Sequence, residues 1–347
     1  MAERRTSEIR DFILGNVGDH PSDIASIAAG EFSISRQAVH RHLRQLVAEG
    51  VLSATGQTRG RRYELAGPKV WFREPIKSGI EEGRLWQERV GPLLDDVPAN
   101  VRTICQYGFT EMVNNALTHS QGTTMEIQAE LRADLIRLLV HDDGIGIFRK
   151  IRRDLGLADD REAILELAKG KLTTDPAGHT GEGVFFTSRA FDFFALASWD
   201  LRYFHRRAED DWLIESARAW EQSPGTGVDM RISPRFTGTV EEVFDRYATP
   251  DAYDFSRTHV PVALARYGED NLISRSQARR LLSRFNRFRE VLLDFNNVDM
   301  IGQAFADEIF RVFARDNPQV KLLHIRANDT VEKMIRHVLA ASGDGSG

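Results

Sequence analysis

Gly178, Gly181 and Gly183 in GHTGEGVFFTSRAF leave backbone amides bare just ahead of a helix expected from about Val184, and a turn of that kind attracts phosphate. Lys169, Lys171, Thr173 and Thr174 precede it. Upstream, Glu111 and Asn115 in FTEMVNNALTHS stand four apart and so share one face of a helix, with Ala116 and His119 completing E-x-x-x-N-A-x-x-H. Taken alone, that pair is only a polar helix face. Between these stretches a strand over 135–140 runs into HDDGIGIF, where Asp142, Gly144 and Gly146 read D-x-G-x-G. Such a triplet also occurs in ordinary turns. Neither glycine cluster is a G-x-G-x-x-G after the first strand of a βαβ unit, and no Walker A lysine is present, so dinucleotide and P-loop folds are excluded.

In that order, on those elements, the stretches resemble the boxes of the GHKL ATP-binding fold of gyrase B, MutL and sensor histidine kinases. The resemblance covers residues 95–236. It implies that Asn115 coordinates Mg²⁺, that Glu111 orients or deprotonates the attacking nucleophile, and that His119 belongs to the same box. It implies an adenine contact at Asp142, with Gly144 and Gly146 letting the chain turn close to the base, and a lid between Phe148 and Gly178 that brings Lys171 to the phosphates. Gly178, Gly181 and Gly183 would cradle those phosphates, and PGTGVDMRI would place Thr226 near the nucleotide. Asp143 is close enough to Asp142 to leave the adenine assignment open between them. ATP and Mg²⁺ are the implied cofactors.

Three elements must then be positioned around this domain. Residues 1–66 pattern as two short helices, a third from Ser35 with Val39, Leu43, Leu46 and Val47 buried, and a hairpin with Gly56 and Gly60 at its tip. They resemble a winged helix-turn-helix, which implies double-stranded DNA as partner. Its candidate contacts are Arg36, Gln37, His40, Arg41, Arg44, Arg59, Arg61 and Arg62. From Ser35 to Arg62 there are six arginines and one acidic residue, Glu49, the polarity that phosphate contacts need. A protein-contact module with a solvated arginine face is the alternative. Residues 67–94, with Pro68, Pro75 and Pro92, pattern as a linker, and 237–255 as a second.

Residues 256–341 alternate strand and helix, with VLLDF and VKLLHI as apolar strands, and resemble a STAS-like domain, ahead of a flexible tail over 342–347. That resemblance implies a protein partner. Relatives are phosphorylated on a serine where this chain has Gly302, Gln303 and Ala304, so phosphoacceptance there is not expected. Arg275, Arg279, Arg280 and Arg284 pattern as a solvated helix face. The expected fold is multidomain α+β: winged helix, GHKL α/β sandwich of the Bergerat type, and small STAS-like α/β domain.

Length and composition agree with several globular domains: 347 residues, 41 % hydrophobic, 28 % charged, net charge −5. No apolar run has membrane-spanning length, and the one cysteine, Cys105, cannot form an internal disulfide, so a cytoplasmic protein is expected. Between His42 and His119 there is no histidine, which removes the phosphoacceptor of an orthodox histidine kinase. The expected function is a regulator whose nucleotide state switches DNA or partner binding. An anti-sigma-type serine kinase is the rival, and a homodimer is compatible with either.

Overall fold

The computed structural model describes residues 2–57, 61–77, 79–132, 134–172, 181–207, 212–215, 223–249, 252–266 and 271–343. The chain divides into two compact units, Met1–Lys69 with Glu130–Ile136 and Val70–Ala129 with Arg137–Gly347.

The first unit carries α1 (Ala2–Asn16), α2 (Ile24–Glu31), α3 (Arg36–Ala48), and an antiparallel hairpin of β1 (Leu52–Thr55) and β2 (Arg62–Leu65). Ser35 caps α3 by accepting the Ala38 N–H at 3.2 Å, which satisfies one of the donors that a helix start leaves open. Val39, Leu43 and Leu46 recur at helical spacing and are buried with Ile9, Ile13, Ile24 and Leu52. Val47 is only half-buried at the edge of this core.

The second unit is built on a seven-stranded sheet in the order β3-β4-β5-β9-β6-β7-β8. Its strands are β3 (Lys69–Pro75), β4 (Thr124–Leu131), β5 (Ile136–Asp142), β6 (Phe193–Trp199), β7 (Leu201–Arg206), β8 (Trp212–Glu215) and β9 (Ser223–Ile232). Residues 67–94 are therefore not the expected linker. Lys69–Pro75 is an edge strand, and α4 (Glu82–Leu85) leads into π and 3-10 turns that bury Trp86, Val90 and Leu94. The prolines mislead because they occupy tolerated positions: Pro68 precedes the strand, Pro75 ends it, and Pro92 lies in the first turn of a 3-10 helix, where a missing N–H costs little.

The helices of this unit are α5 (Ala99–His119), α6 (Ile147–Leu155), α7 (Asp160–Lys169), α8 (Gly183–Ala190) and α9 (Val240–Tyr247). Helix α5 packs on α8 and β9, and α8 packs on β6 and β7. Phe185 and Phe186 of α8 are each 2 % exposed, burial that contributes roughly 1.5–3 kcal/mol apiece. Phe186 meets Phe244 of α9 at 4.2 Å between ring centroids. The second expected linker is likewise structured: α9 starts with a Thr239–Glu242 capping box, and β10 (Ala248–Thr249) pairs with β11 (Ala252–Phe255).

The C-terminal part is a three-stranded parallel sheet of β12 (Arg257–Pro261), β13 (Glu290–Asp294) and β14 (Lys321–Ile325). Between and after the strands come α10 (Arg275–Leu282), α11 (Gln303–Asp307) continuing through a π turn into α12 (Ala314–Asp316), and α13 (Asp329–Gly343). Buried Val291, Leu293 and Phe295 are the inward residues of the VLLDF pattern. Among the described residues, no helix is long and apolar enough to cross a membrane.

Candidate functional site

One face of α5 supplies the first wall of a cavity of about 340 Å³ in the second unit: Glu111, Asn115 and His119, each four residues from the next, all line it. Ile104, Phe109, Met112 and Val113 are buried and hold the helix against its neighbours. Helix α8 begins beside Glu111. A Cβ added to Gly183 would stand 2.0 Å from Glu111 Oε2, so glycine here lets the helix N-terminus approach with the carboxylate left in place. Gly181, at φ +70°, and Gly183 both line the cavity.

Asp142 ends β5, is 5 % exposed, and lines the same cavity. Its Oδ1 accepts the backbone N–H of Gly144 at 2.9 Å and of Thr226 at 3.2 Å. Among the described residues, no hydrogen bond reaches Oδ2. Burial pushes the Asp142 carboxyl above its ordinary value, and the two amide donors offset only part of that. Asp143 is differently employed. It is exposed, and it takes the Thr123 N–H at 2.6 Å, the Thr123 hydroxyl at 2.7 Å and the Thr124 N–H at 2.9 Å. Of the two adjacent carboxylates, Asp142 alone faces the cavity.

The other cavity residues follow from these. Gly146, at φ +92°, lies under the Ser198 and Trp199 side chains, where a Cβ would collide. Thr226 lines the cavity, is 9 % exposed, and accepts the Ile147 N–H at 2.9 Å through Oγ1. Tyr107, one turn before Glu111, has its hydroxyl pushed up by burial and then by the charges of Glu111 and Glu182. Tyr107 itself is half-buried.

Not every expected residue joins this group. Lys171 does not line the cavity: its Nζ donates to the Arg287 carbonyl at 3.2 Å and stands 5.3 Å from the Phe288 ring centre. Lys169, also expected near phosphates, is fully buried against Glu166, with Nζ to Oε1 at 2.6 Å. Gly144 supports the site through its amide on Asp142 but is not part of the lining. Gly178, Thr173, Thr174 and His179 lie outside the described residues.

Three lining or supporting residues were missed by the sequence reading. Lys150 lines the cavity from α6, where it pairs with Asp154; its signal was a lysine one helical turn after the D-x-G-x-G glycines. Asn114, beside Asn115, lines it too. Gly225, at φ +84°, packs so tightly on the Asp142 carbonyl that any Cβ would overlap it; the PGTG string carried that signal.

In the first unit, Arg36, Gln37, His40, Arg41 and Arg44 are exposed along α3, and Arg62 is exposed on β2. Arg61 is half-buried, with its guanidinium 5.4 Å from the Tyr63 ring centre. Arg59 lies outside the described residues. Glu49, the one acidic residue of this stretch, is bound by Arg10 of α1 at 3.1 Å.

The profile of a family described as a STAS-like domain of unknown function matches residues 277–332, the span from α10 into α13. Residues 277–332 are therefore STAS-like, and they hold the parallel pair β13 and β14 with the helical segment between them. No curated protein matches the chain.

Proposed function

We propose that the cavity of the second unit binds ATP with Mg²⁺, as a GHKL-type nucleotide domain, in a regulator whose first unit is a DNA-binding winged helix. The observation that carries this reading is convergence: Glu111, Asn115, Asp142, Gly181, Gly183 and Thr226 come from separate stretches of sequence and line one cavity. Chance patterns would scatter over the surface.

The residues fit the ligand. Asp142, anchored through Oδ1 by two backbone amides, offers Oδ2 to an amino group such as that of adenine. Gly181 and Gly183 line the cavity at the start of α8, and behind Asp142 the chain packs through Gly144 and Gly225, where a Cβ would meet backbone. Among the described residues, no group of three or more His, Cys, Asp or Glu is placed to hold a metal by protein ligands alone, so Mg²⁺ would be held by Asn115 together with oxygens of the nucleotide. Its chemistry there is to neutralise the triphosphate charge. Glu111, beside the α8 N-terminus, would accept the proton of an attacking hydroxyl. DNA binding rests on the exposed arginines of α3, and a cytoplasmic setting follows from that role.

Phosphate release from labelled ATP by the whole chain tests the proposal. Release that depends on Glu111 supports it, label on serine or threonine converts the reading to a protein kinase, and absence of both with retained binding leaves a sensor that works by occupancy.

A further inference from the structure

The stretch from α7 to Leu172 faces two ways. Leu167 and Leu172 line the cavity, while the residues between them are tied to the STAS-like module by a buried polar network. Lys169, fully buried, directs Nζ to the carbonyls of Arg280 and Ser283 at 3.0 Å each, as well as to Glu166. Those carbonyls belong to the last turn and C-cap of α10, so a cation of α7 closes the negative end of another helix. The reverse also holds. Arg284, just beyond α10 and in the left-handed region at φ +64°, binds Glu166 Oε2 at 2.7 Å and donates to the carbonyls of Gly170, at 3.0 Å, and Lys171, at the end of α7.

Further bonds lock the same segment. The Thr258 hydroxyl of β12 donates to the Lys169 carbonyl at 2.7 Å with no exposure to solvent. Lys171 reaches the Arg287 carbonyl, and Arg287 Nη1 returns a bond to the Lys171 carbonyl at 3.3 Å. Gly170, at φ +79°, has no room for a Cβ because Phe255 presses on it at 2.6 Å from that position. Arg284 was expected on a solvated face, and its side chain is 13 % exposed. Burial lowers the Lys169 ammonium to about 8, a cost that buried charges repay only with good geometry and that is often retained for specificity rather than stability.

We propose that the STAS-like module is a positioning element of the cavity: by reciprocal capping of α7 and α10 it holds the wall formed by Leu167 and Leu172, so that ligand occupancy and the state of the module are coupled. The coupling is reciprocal by thermodynamic necessity, since whatever orders the wall for one favours the other. It rests on the nucleotide reading only for the identity of the ligand.

Hydrogen exchange of the full chain tests both parts separately, using Arg284→Gln and, should that variant fold poorly, the nearly isosteric Thr258→Val. Without ligand, amides over 160–172 should exchange about tenfold faster or more in either variant while β9 and the middle of α5 stay unchanged, since each lost charge-assisted or buried bond opens the segment locally. With ATP·Mg²⁺, the parent should gain protection over both 160–172 and 275–287, and the variants only over the first. Unchanged exchange over 160–172, or an equal rise throughout the unit, overturns the positioning role. Protection by ATP·Mg²⁺ confined to the cavity in the parent overturns the coupling. If the ligand-free difference appears but ATP·Mg²⁺ protects nothing, the nucleotide reading fails and the positioning role stands.

Discussion

Gly183 and Glu111 show how much of the site turns on single atoms. The Oε2 that a Cβ at Gly183 would strike is the end of a flexible side chain, so Gly183→Ala should cost little stability, within about 1 kcal/mol, yet displace the carboxylate and lower turnover about tenfold or more. Thermal melting and phosphate release, measured together, check this. Gly225→Ala should behave oppositely: its clash is with the Asp142 backbone at a positive φ, so the unfolding midpoint should fall, reflecting a loss of stability of roughly 2 kcal/mol or more. Glu111→Ala should bind ATP·Mg²⁺ as tightly as the parent and lose on the order of 10² in rate, whereas Asn115→Ala should lose Mg²⁺-dependent binding. The grouping of residues was legible in the sequence where a motif fixed spacing: Glu111, Asn115, Asp142 and Thr226 all line the one cavity. It was not legible at Lys171, because a lysine's reach depends on which neighbour captures it, and here the captor, the Arg287 carbonyl, lies 116 positions away.

At the scale of elements, α3 was readable almost to the residue, since Ser35 caps it and its buried stripe keeps helical spacing. The exposed Arg41 and Arg44 should each contribute phosphate contacts, so replacing both with Ala should weaken DNA binding across sequences and flatten the salt slope by about two. Titrating a random duplex pool over a range of salt reads this directly, and no retention at low salt would make the unit a protein-contact module. The end of β13 makes a different prediction. Burial alone would raise the Asp294 carboxyl, but His259 Nε2 at 2.6 Å, Arg326 Nε at 2.9 Å and the Asn296 N–H hold it at about 2. A carboxyl depressed in the fold stabilises it above the ordinary carboxylate value, and that contribution is lost as pH falls from about 4 through about 2, on the order of 2 kcal/mol in all. Asp294→Asn should be less stable than the parent at neutral pH and should show a shallower loss of stability over that interval.

For the whole molecule, the sequence separates into three expected domains and two linkers, while the second unit takes in residues 70–94 of the first linker, all of the second, and the STAS-like part. The expected boundaries rested on prolines and on composition, which mark chain breaks and not packing. What binds the parts is long-range: Lys169 to the end of α10, Thr258 to Lys169, Arg284 to Glu166. No local window contains such pairs. The cavity stands at the centre of the functional account, and its occupant is the claim on which the rest depends. Calorimetric titration of the full chain with ATP·Mg²⁺, beside Asp142→Asn, tests it most directly. The account predicts saturable binding by the parent at one site, and a loss of about tenfold or more in affinity for the variant with its melting temperature little changed, since the amide presents a donor where the carboxylate accepts. Undetectable binding by the folded parent, or equal affinity in both proteins, would contradict it.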